Sequence, residues 1–344
     1  MGALLNIPAE WFLVNLNKFV TFTASWEGSW IQTYVNDPFI FAIWVVAIFA
    51  IASWHIPTLR WKLAGLFLAL VCIQQLYGII QKFEAPKMEV TVFDVGQGDA
   101  TLIKTPGNKH FFIDAGVWTP DYNSARYIII PHLKAAGITK LDAVFLSHPH
   151  ADHIGGIKEL IEKVPIDTIY NSGYKYNSNL YADYLKLTSK KEIPVVPLRA
   201  GTKVNLDPSM RIFVYGPEQW HVGDEPNEHS LILELVYGET EFLFMGDAGM
   251  EQEERLLSAY PHLLDTDFLK VGHHGSKTSS SREFLSRASA QWSIISVAKS
   301  NRFRHPHVEA VQRLRQSDAK LRFTSLEKAM IFTSDGTSIR RKRW

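Results

Sequence analysis

The chain has 344 residues, one cysteine and nearly balanced charge, with 36 Lys and Arg against 35 Asp and Glu. A single cysteine excludes a disulfide framework and a cysteine-rich zinc site. A formal net charge of +1 gives no overall attraction to nucleic acid, and the length suits one domain of about 250 residues with a smaller appendage.

The N-terminal part is apolar and rich in tryptophan, and it predicts a membrane-associated segment over residues 1–87. Residues 1–36 predict an amphipathic helix that lies in a membrane interface. Two apolar runs follow, Phe39–Ser53 and Leu63–Ile80, and each approaches the ~20 residues that a helix needs to cross a bilayer. A buried helical hairpin of a soluble protein is the alternative, but no other part of the sequence offers enough apolar surface to cover it.

The short link between these runs sets the expected topology. It carries Arg60 and Lys62 and no acidic residue. Because short cytoplasmic loops are enriched in lysine and arginine, we expect this link to be cytoplasmic. Everything after residue 81 is then extracytoplasmic, on the outer side of the inner or plasma membrane.

Strands and helices alternate from residue 88 onward and predict an α/β domain over residues 88–344. The first strands end on short turns that carry aspartates and glycines, and residues 125–138 predict a helix. Asp94, Asp99 and Asp114 follow these strands and are expected to be structural residues near a site, with Asp114 bracing a neighbouring loop.

The stretch Ser147–Gly156 carries three histidines and one aspartate within six residues, at His148, His150, Asp152 and His153. Apolar residues precede it and predict a buried strand, so these side chains lie on a loop at a strand end. His148 and His150 alternate, so an extended backbone points both imidazoles the same way and lets them share one metal. Asp152 and His153 follow on a turning backbone and can reach a second metal. Imidazole and carboxylate ligands suit zinc, manganese or iron.

Two later strand ends add candidate site residues. Asp247 follows a glycine at the end of one strand, and His273 and His274 follow another. Because adjacent side chains cannot both point the same way, we assign His273 to the second metal and His274 to the phosphate or leaving group. The reverse assignment stays open. Lys270, three residues earlier, is expected to face substrate phosphate.

Two motifs carry a family resemblance. The His-x-His-x-Asp-His pattern at 148–153 resembles the signature of the metallo-β-lactamase superfamily. The Asp-Val-Gly-Gln-Gly-Asp segment at 94–99 is similar to the opening of the soluble domain of ComEC-type DNA-internalisation proteins. The resemblance covers residues 88–315 and implies a four-layer αββα sandwich, here preceded by the membrane hairpin. It makes Asp247 the carboxylate that bridges two metal ions.

The resemblance also has departures. The ComEC pattern has Asn and Ser at Asn227 and Ser230, near where many superfamily members place a third histidine. With Asn227 there, Mn²⁺ fits as well as Zn²⁺. The family usually carries Gly before its His-Pro pair, where this chain has Arg304. The residues expected to bind substrate are Asn227, His229, Ser276, Lys299, Asn301, Arg302 and His305.

The function that the resemblance implies is a metal-dependent DNase. Two divalent ions, Mn²⁺ or Zn²⁺, would clamp a phosphodiester and activate a water for in-line attack, with Asp152, His274 and Lys270 as the catalytic residues. The substrate would be DNA, with single strands favoured, and the role would be to degrade the strand that does not enter the cell.

The sequence lacks most of a permease, so we expect it to be the C-terminal portion of a larger protein. Its partners would be the membrane, DNA and the remainder of a DNA-translocation channel. Two other functions stay open. One is an envelope hydrolase that acts on a small phosphodiester, phosphorylcholine or a lactone, and the other is a non-enzymatic module that guides DNA.

Overall fold

The structure is a computed structural model that describes residues 38–82, 86–218, 225–261 and 264–342. The chain divides into two compact units between residues 82 and 83, whereas the sequence analysis put the boundary after residue 87. The interfacial helix predicted for residues 1–36 lies outside the described residues.

The N-terminal unit contains two helices, α1 (Pro38–Ala52) and α2 (Pro57–Lys82), which contact each other. Within the described part of the chain, one helical stretch is long and apolar enough to cross a membrane, Pro57–Leu76 with a mean hydropathy of 1.3. The apolar stretch Ile40–Ala52 is shorter. Large apolar side chains on both helices are exposed, among them Phe41, Trp44, Ile48, Phe49 and Leu68.

The larger unit is built around two mixed sheets. The first sheet contains, from edge to edge, β17 (Ile339–Lys342), β16 (Met330–Ser334), β1 (Met88–Val92), β2 (Thr101–Lys104), β3 (His110–Ile113), β6 (Ala143–Leu146), β7 (Ile169–Asn171) and β8 (Val195–Pro197). The strands from β17 to β3 pair antiparallel, and those from β3 to β8 pair parallel.

The second sheet contains, in the same manner, β15 (Lys320–Phe323), β14 (Trp292–Ile295), β13 (Phe268–Lys270), β12 (Thr240–Phe244), β11 (Ile232–Tyr237), β10 (Arg211–Gly216) and β9 (Lys203–Val204). The strands from β15 to β12 pair parallel, and the others pair antiparallel. A separate small hairpin joins β4 (Trp118–Thr119) and β5 (Tyr122–Asn123).

Helices cover the outer face of each sheet. Those packed on the first sheet are a π-helical turn (Ala125–Ile129), α3 (Ile130–Ala135), α4 (Ile157–Lys163) and α5 (Asn179–Lys190). Those packed on the second are α6 (Met250–Ala259), α7 (Arg282–Ala288) and α8 (Val308–Arg315). Short 3₁₀ turns lie at Pro226–His229 and Gly272–Gly275, and a last short helix, α9, at Thr324–Glu327.

The helix predicted over residues 125–138 differs from a regular α-helix. Its first turn is π-helical, and the Ile130 N–H donates to the Ala125 carbonyl, five residues back. Pro131 follows and has no N–H to continue the usual ladder, which accounts for the change of helix type here.

Three apolar layers hold the sandwich together. Phe242 and Phe244 of β12 face the layer between the sheets, whereas Leu243 faces the helices on the second sheet. Strands with both faces covered are apolar on both faces, and each fully buried Phe or Leu stabilises the fold by about 1.5–3 kcal/mol before entropy is counted. The predicted αββα sandwich with an N-terminal helical hairpin is confirmed.

Candidate metal centre

The polar side chains of interest lie where the parallel strands of both sheets end. The loop 147–156 follows β6, and Asp114 follows β3 in the first sheet. Asp247 follows β12, and the 3₁₀ turn Gly272–Gly275 follows β13 in the second. Because carboxyl ends of neighbouring parallel strands share one edge of a sheet, these loops converge there.

Backbone contacts fix the loop after β6. The Asp99 N–H donates to the Asp152 carbonyl at 3.0 Å, and the Ala115 N–H donates to the His153 carbonyl at 2.7 Å. Gly98 makes the first contact feasible, because a Cβ there would lie 2.4 Å from the Asp152 carbonyl oxygen. Gly98 therefore allows close backbone approach to the loop that carries the histidines.

Asp114 holds this loop in place through its carboxylate. Its carboxylate accepts hydrogen bonds from the Ser147 N–H at 2.7 Å and the Ser147 hydroxyl at 2.8 Å. Its Oδ2 also lies 2.8 Å from His153 Nδ1. With Nδ1 held there, His153 Nε2 faces Asp247 Oδ1 at 3.2 Å.

His148 and His150 lie together, as their alternation predicts. His148 Nε2 lies 3.1 Å from His150 Nδ1 and 3.8 Å from Asp247 Oδ2. Ser230 supports the same group, because its hydroxyl accepts the Asp247 N–H at 3.1 Å and lies 3.5 Å from His148 Nδ1.

His273 and His274 differ in position from the assignment preferred above. His274 Nδ1 lies 3.0 Å from the Ser296 carbonyl, while its Nε2 lies 3.5 Å from Asp152 Oδ2 and 3.7 Å from Asp247 Oδ1. His273 Nε2 instead lies 3.3 Å from the Asn227 amide nitrogen. His274 is thus the residue that joins the two aspartates, as the reverse assignment has it.

The backbone explains this arrangement. His273 and His274 both have left-handed conformations, with φ of 48° and 51°. The alternation of an extended strand therefore stops at Gly272, and the pair turns on a tight bend. Such strained backbone is concentrated at functional sites.

Four buried side chains bring their ligand-type atoms within 4.8 Å of one another, namely Asp99, His153, Asp247 and His274. His153 Nε2, Asp247 Oδ1 and His274 Nε2 are buried and have no hydrogen bond of good geometry. Buried polar atoms are normally paired, so three that face one another without hydrogen bonds fit the coordination of a cation. The residues therefore form a candidate metal site.

The pKa shifts in this cluster point the same way. Burial opposes ionisation of Asp247, but His153 and His274 outweigh it and hold the pKa of Asp247 well below its ordinary value. Burial also opposes charging of His153, yet Asp247 and Asp114 raise its pKa well above the ordinary value. The pKa of His274 rises to about 9, because Asp247 and Asp152 outweigh the effect of burial. The carboxylates thus favour positive charge where the ring nitrogens meet them.

Lys270 does not face the cleft. It is buried, and its Nζ lies 2.8 Å from Asp99 Oδ1 and 2.9 Å from Oδ2. The alternation of β13 explains this, since Leu269 faces the helices while Phe268 and Lys270 face the first sheet. Burial raises the pKa of Asp99, but Lys270, His274 and His153 together outweigh it, so the pKa lies below its ordinary value. Lys270 thus helps to keep Asp99 ionised, and its ammonium lies against that carboxylate, outside the cleft where a substrate phosphate was expected to meet it.

An open cleft of about 770 Å³ leads to this cluster. Its lining includes His150, Asp152, Asp247, His273 and His274. The lining also contains Gln97, Trp118, Tyr176, Asn301, Arg302, Phe303 and His305, of which Trp118, Arg302 and Phe303 are exposed. A second opening of about 790 Å³ reaches Asp247 and His273 and has an acidic lining that includes Glu225, Glu228, Glu251 and Glu309.

Some predicted substrate-binding residues line the main cleft. They are Asn227, Asn301, Arg302 and His305. The Asn301 side chain holds the His305 backbone, accepting its N–H at 2.9 Å and donating to its carbonyl at 2.6 Å. Burial and the neighbouring histidines lower the pKa of His305 to about 4, so its ring is neutral at pH 7.

The other predicted residues lie outside the cleft lining. The His229 ring packs 4.4 Å from the Tyr174 ring, and the Ser276 hydroxyl is buried 3.0 Å from the Thr278 hydroxyl. Lys299 is exposed. The Asp94 carboxylate lies 3.8 Å from Lys328 Nζ, away from the cluster.

The sequence analysis did not identify the aromatic residues of the cleft. Trp118 and Phe303 are 43% and 45% exposed, and Tyr176 lies with its ring 5.5 Å from that of His150. The available signal was their position, because Trp118 follows the strand-end turn of Asp114 and Phe303 lies in the segment before the His-Pro pair. Exposed aromatics beside a strand-end site are typical of binding surfaces.

Comparison with known proteins agrees with this geometry. The sequence profile of the Metallo-beta-lactamase superfamily matches residues 93–297. The chain belongs to this superfamily. Its members are generally hydrolases, and the match spans the loop after β6, Asp247 and the 273–274 pair.

Three curated proteins are similar to this superfamily member over about 70% of its length. The chain is 28% identical to ComE operon protein 3 of Bacillus subtilis over 68% of its own length and 31% of the relative. It is 32% identical to Competence protein ComA of Neisseria gonorrhoeae over 71% of its length and 32% of the relative. It is 27% identical to Recombination protein 2 of Haemophilus influenzae over 72% of its length and 29% of the relative.

The resemblance to ComEC-type proteins predicted from the motifs is thereby confirmed. The chain spans about a third of the length of these relatives. The chain thus combines a metallo-hydrolase fold, a candidate metal site and similarity to a competence protein.

Proposed function

We propose that this protein hydrolyses phosphodiester bonds of DNA with the help of two divalent ions. The observation that carries the proposal is the convergence of unpaired histidine nitrogens and aspartate oxygens from both sheets at the floor of an open cleft. In a DNA-uptake protein, the role would be to degrade the strand that is not transported.

The proposed ligands form two groups that share Asp247. His148 and His150 would hold one ion, and Asp152, His153 and His274 would hold the other. His273 lies near Asn227. Mn²⁺ and Zn²⁺ both suit these nitrogen and oxygen ligands. Bound there, the ions would neutralise phosphate charge and lower the pKa of a water towards ~7.

The protein's own residues orient this chemistry. The contact of Asp114 with His153 Nδ1 and that of the Ser296 carbonyl with His274 Nδ1 leave both Nε2 atoms facing the cluster. Such outer contacts fix the tautomer and the ring orientation. Asp152 lies at the cleft surface, where it can accept a proton from the attacking water.

Kinship supports DNA as the substrate. The relatives carry the names competence protein and recombination protein, and the chain covers only a third of them. We therefore propose that it works with the remainder of a DNA-translocation channel, with α1 and α2 in the inner or plasma membrane. The basic link at Arg60 and Lys62 favours an extracytoplasmic catalytic unit.

The test uses the full chain in detergent with labelled single- and double-stranded DNA and with Mn²⁺, Zn²⁺ or Mg²⁺. We expect metal-dependent cleavage that Asp152→Ala abolishes and that the surface variant Asp318→Asn retains. Cleavage of small phosphodiesters or lactones without DNA cleavage would replace the nuclease with an envelope hydrolase. A chain that binds DNA but neither contains nor takes up metal would be a DNA-guiding module.

A further inference from the structure

Two exposed aromatic side chains reach the cleft from different sheets. Trp118 lies in the β4–β5 hairpin after β3 of the first sheet, and Phe303 lies in the loop after β14 of the second. Both line the same cleft as Asp152 and His274. Scattered apolar side chains on a surface need no explanation, but two large rings at the mouth of one polar cleft form a shared feature.

Phe303 extends an aromatic wall from solvent to the metal centre. Its ring stacks on His305, with centroids 5.7 Å apart and planes 23° apart. The His305 ring in turn lies 5.4 Å from that of His273. The Arg302 guanidinium lies 4.7 Å from the Phe303 ring centre on this wall, which places a positive charge next to a flat apolar surface.

Trp118 is tied to the loop that carries the histidines. Its backbone N–H donates to the Ala151 carbonyl oxygen at 3.1 Å. Gly155 packs against the same backbone so tightly that a Cβ there would lie 2.2 Å from the Trp118 nitrogen. The backbone of Trp118 is therefore fixed beside Asp152, while its indole remains 43% exposed.

We propose that Trp118 and Phe303 stack on nucleobases next to the scissile phosphate and thereby restrict the cleft to strands with unpaired bases. This inference rests on the proposed function of the same site. The two flat rings match the bases of a single strand, and the Arg302 guanidinium matches its charged backbone. The polar floor of the cleft matches the scissile phosphate. In a duplex the bases are stacked and paired, so their faces are not available to these rings.

The test compares two single strands of equal length and charge, one with bases and one with abasic residues at every position. Stacking is worth about 1–3 kcal/mol per base, so the wild-type chain should prefer the base-bearing strand. For Trp118→Ala and Phe303→Leu, the ratio of kcat/KM between base-bearing and abasic strands should fall about tenfold. Phe303→Leu keeps apolar bulk, and Trp118→Phe should retain most of the ratio because it keeps a ring.

Tyr127→Ala is the matched control. Tyr127 is 59% exposed, lies outside the cleft lining and stacks on Tyr122 of the same hairpin. Tyr127→Ala removes an exposed ring and also reveals any effect of loosening the hairpin. The ratio of kcat/KM between base-bearing and abasic strands should not change in this variant. An unchanged ratio in Trp118→Ala and Phe303→Leu, or an equal fall in Tyr127→Ala, overturns the stacking proposal.

A separate measurement distinguishes failure of this inference from failure of the nuclease proposal. If the wild-type chain cuts neither strand, the nuclease proposal fails. Fluorescence anisotropy then decides the stacking proposal through the ratio of the two binding affinities. A higher affinity for the base-bearing strand that Trp118→Ala and Phe303→Leu both lose supports stacking, and equal affinities of the wild type for the two strands refute it.

Discussion

The buried floor of the cleft and its exposed rim are built in different ways. The floor is the buried cluster His148, His153, Asp247 and His274 together with Asp99, Asp114 and Lys270, which support it from outside the cleft lining. The rim consists of Trp118, Tyr176, Arg302, Phe303 and His305. Each floor side chain contacts another charged or ring side chain of the floor at 2.8–3.8 Å. On the rim, the His305 ring and the Arg302 guanidinium both lie against the Phe303 ring. We infer that changes in the floor abolish chemistry or stability, whereas changes in the rim adjust substrate choice by degrees.

Asp247→Ala should have the largest effect. Its carboxylate faces His148, His153 and His274 at once, so we expect roughly a 1000-fold loss of kcat/KM as several kcal/mol of charge stabilisation disappear. Bound metal, measured by elemental analysis of the same preparation, should fall with it. Asp318→Asn is the exposed control. Full metal content in Asp247→Ala would contradict the inferred role of the floor.

Lys270→Met tests whether the floor also holds the two sheets together. It leaves the Asp99 carboxylate buried without its partner at 2.8 Å, which should cost about 3–5 kcal/mol of stability. The apparent melting temperature of the full chain in detergent reports the loss. The double variant Lys270→Met with Asp99→Asn should recover most of it, and a single variant as stable as wild type would show that this pair is not needed.

Arg302→Ala should show the graded behaviour of the rim. We expect kcat/KM on single strands to fall roughly threefold, because an exposed charge contributes little. The slope of log kcat/KM against log salt concentration should weaken by about 0.7, the value for one phosphate contact on a single strand. Lys299→Ala removes a neighbouring exposed charge outside the cleft lining and serves as control. A loss as large as that of Asp247→Ala would place Arg302 with the floor.

Glu234 shows what burial does to a carboxyl group when nearby positive charges do not outweigh it. It is buried on the second sheet, away from the cleft. Its Oε2 accepts the Tyr215 hydroxyl at 2.6 Å, and burial raises its pKa to about 7. The folded state then binds a proton that the unfolded state releases above its ordinary pKa of 4.5. Stability should therefore fall as pH rises from about 4.5 to 7 and level off above, by at most about 3 kcal/mol.

Glu234→Gln should remove this slope. The measurement is the difference in apparent melting temperature between the two proteins from pH 5 to 8, in which their common groups cancel. A difference that does not change with pH would mean that Glu234 is ionised when folded, as Asp99 and Asp247 are.

The local part of the site was predictable from the sequence. His148 and His150 alternate, Asp152 and His153 follow within three residues, and a strand precedes them, so proximity followed from spacing alone. Asp247 was found because it ends a strand, and the parallel order of β12, β13 and β14 brings such ends together. The interleaving of strands and helices, together with the family resemblance, likewise predicted the layers.

The long-range part was not predictable from one sequence. Lys270 and Asp99 are 171 positions apart, and nothing in either segment indicates the other. His274 took the place expected of His273 because two consecutive left-handed residues break the alternation that the prediction assumed. Trp118 and Phe303 meet at the cleft only through the packing of the two sheets.

The pairing of β1 with β16 has a consequence for biosynthesis. Met88 lies opposite Ser334 and Val92 opposite Met330, so the first strand of the larger unit waits for one made near the end of the described chain. Until residues 330–334 leave the ribosome, one side of β1 is an open edge, and open edges promote association with other chains. These residues line no part of the cleft, yet their pairing closes an edge that would otherwise favour association between nascent molecules.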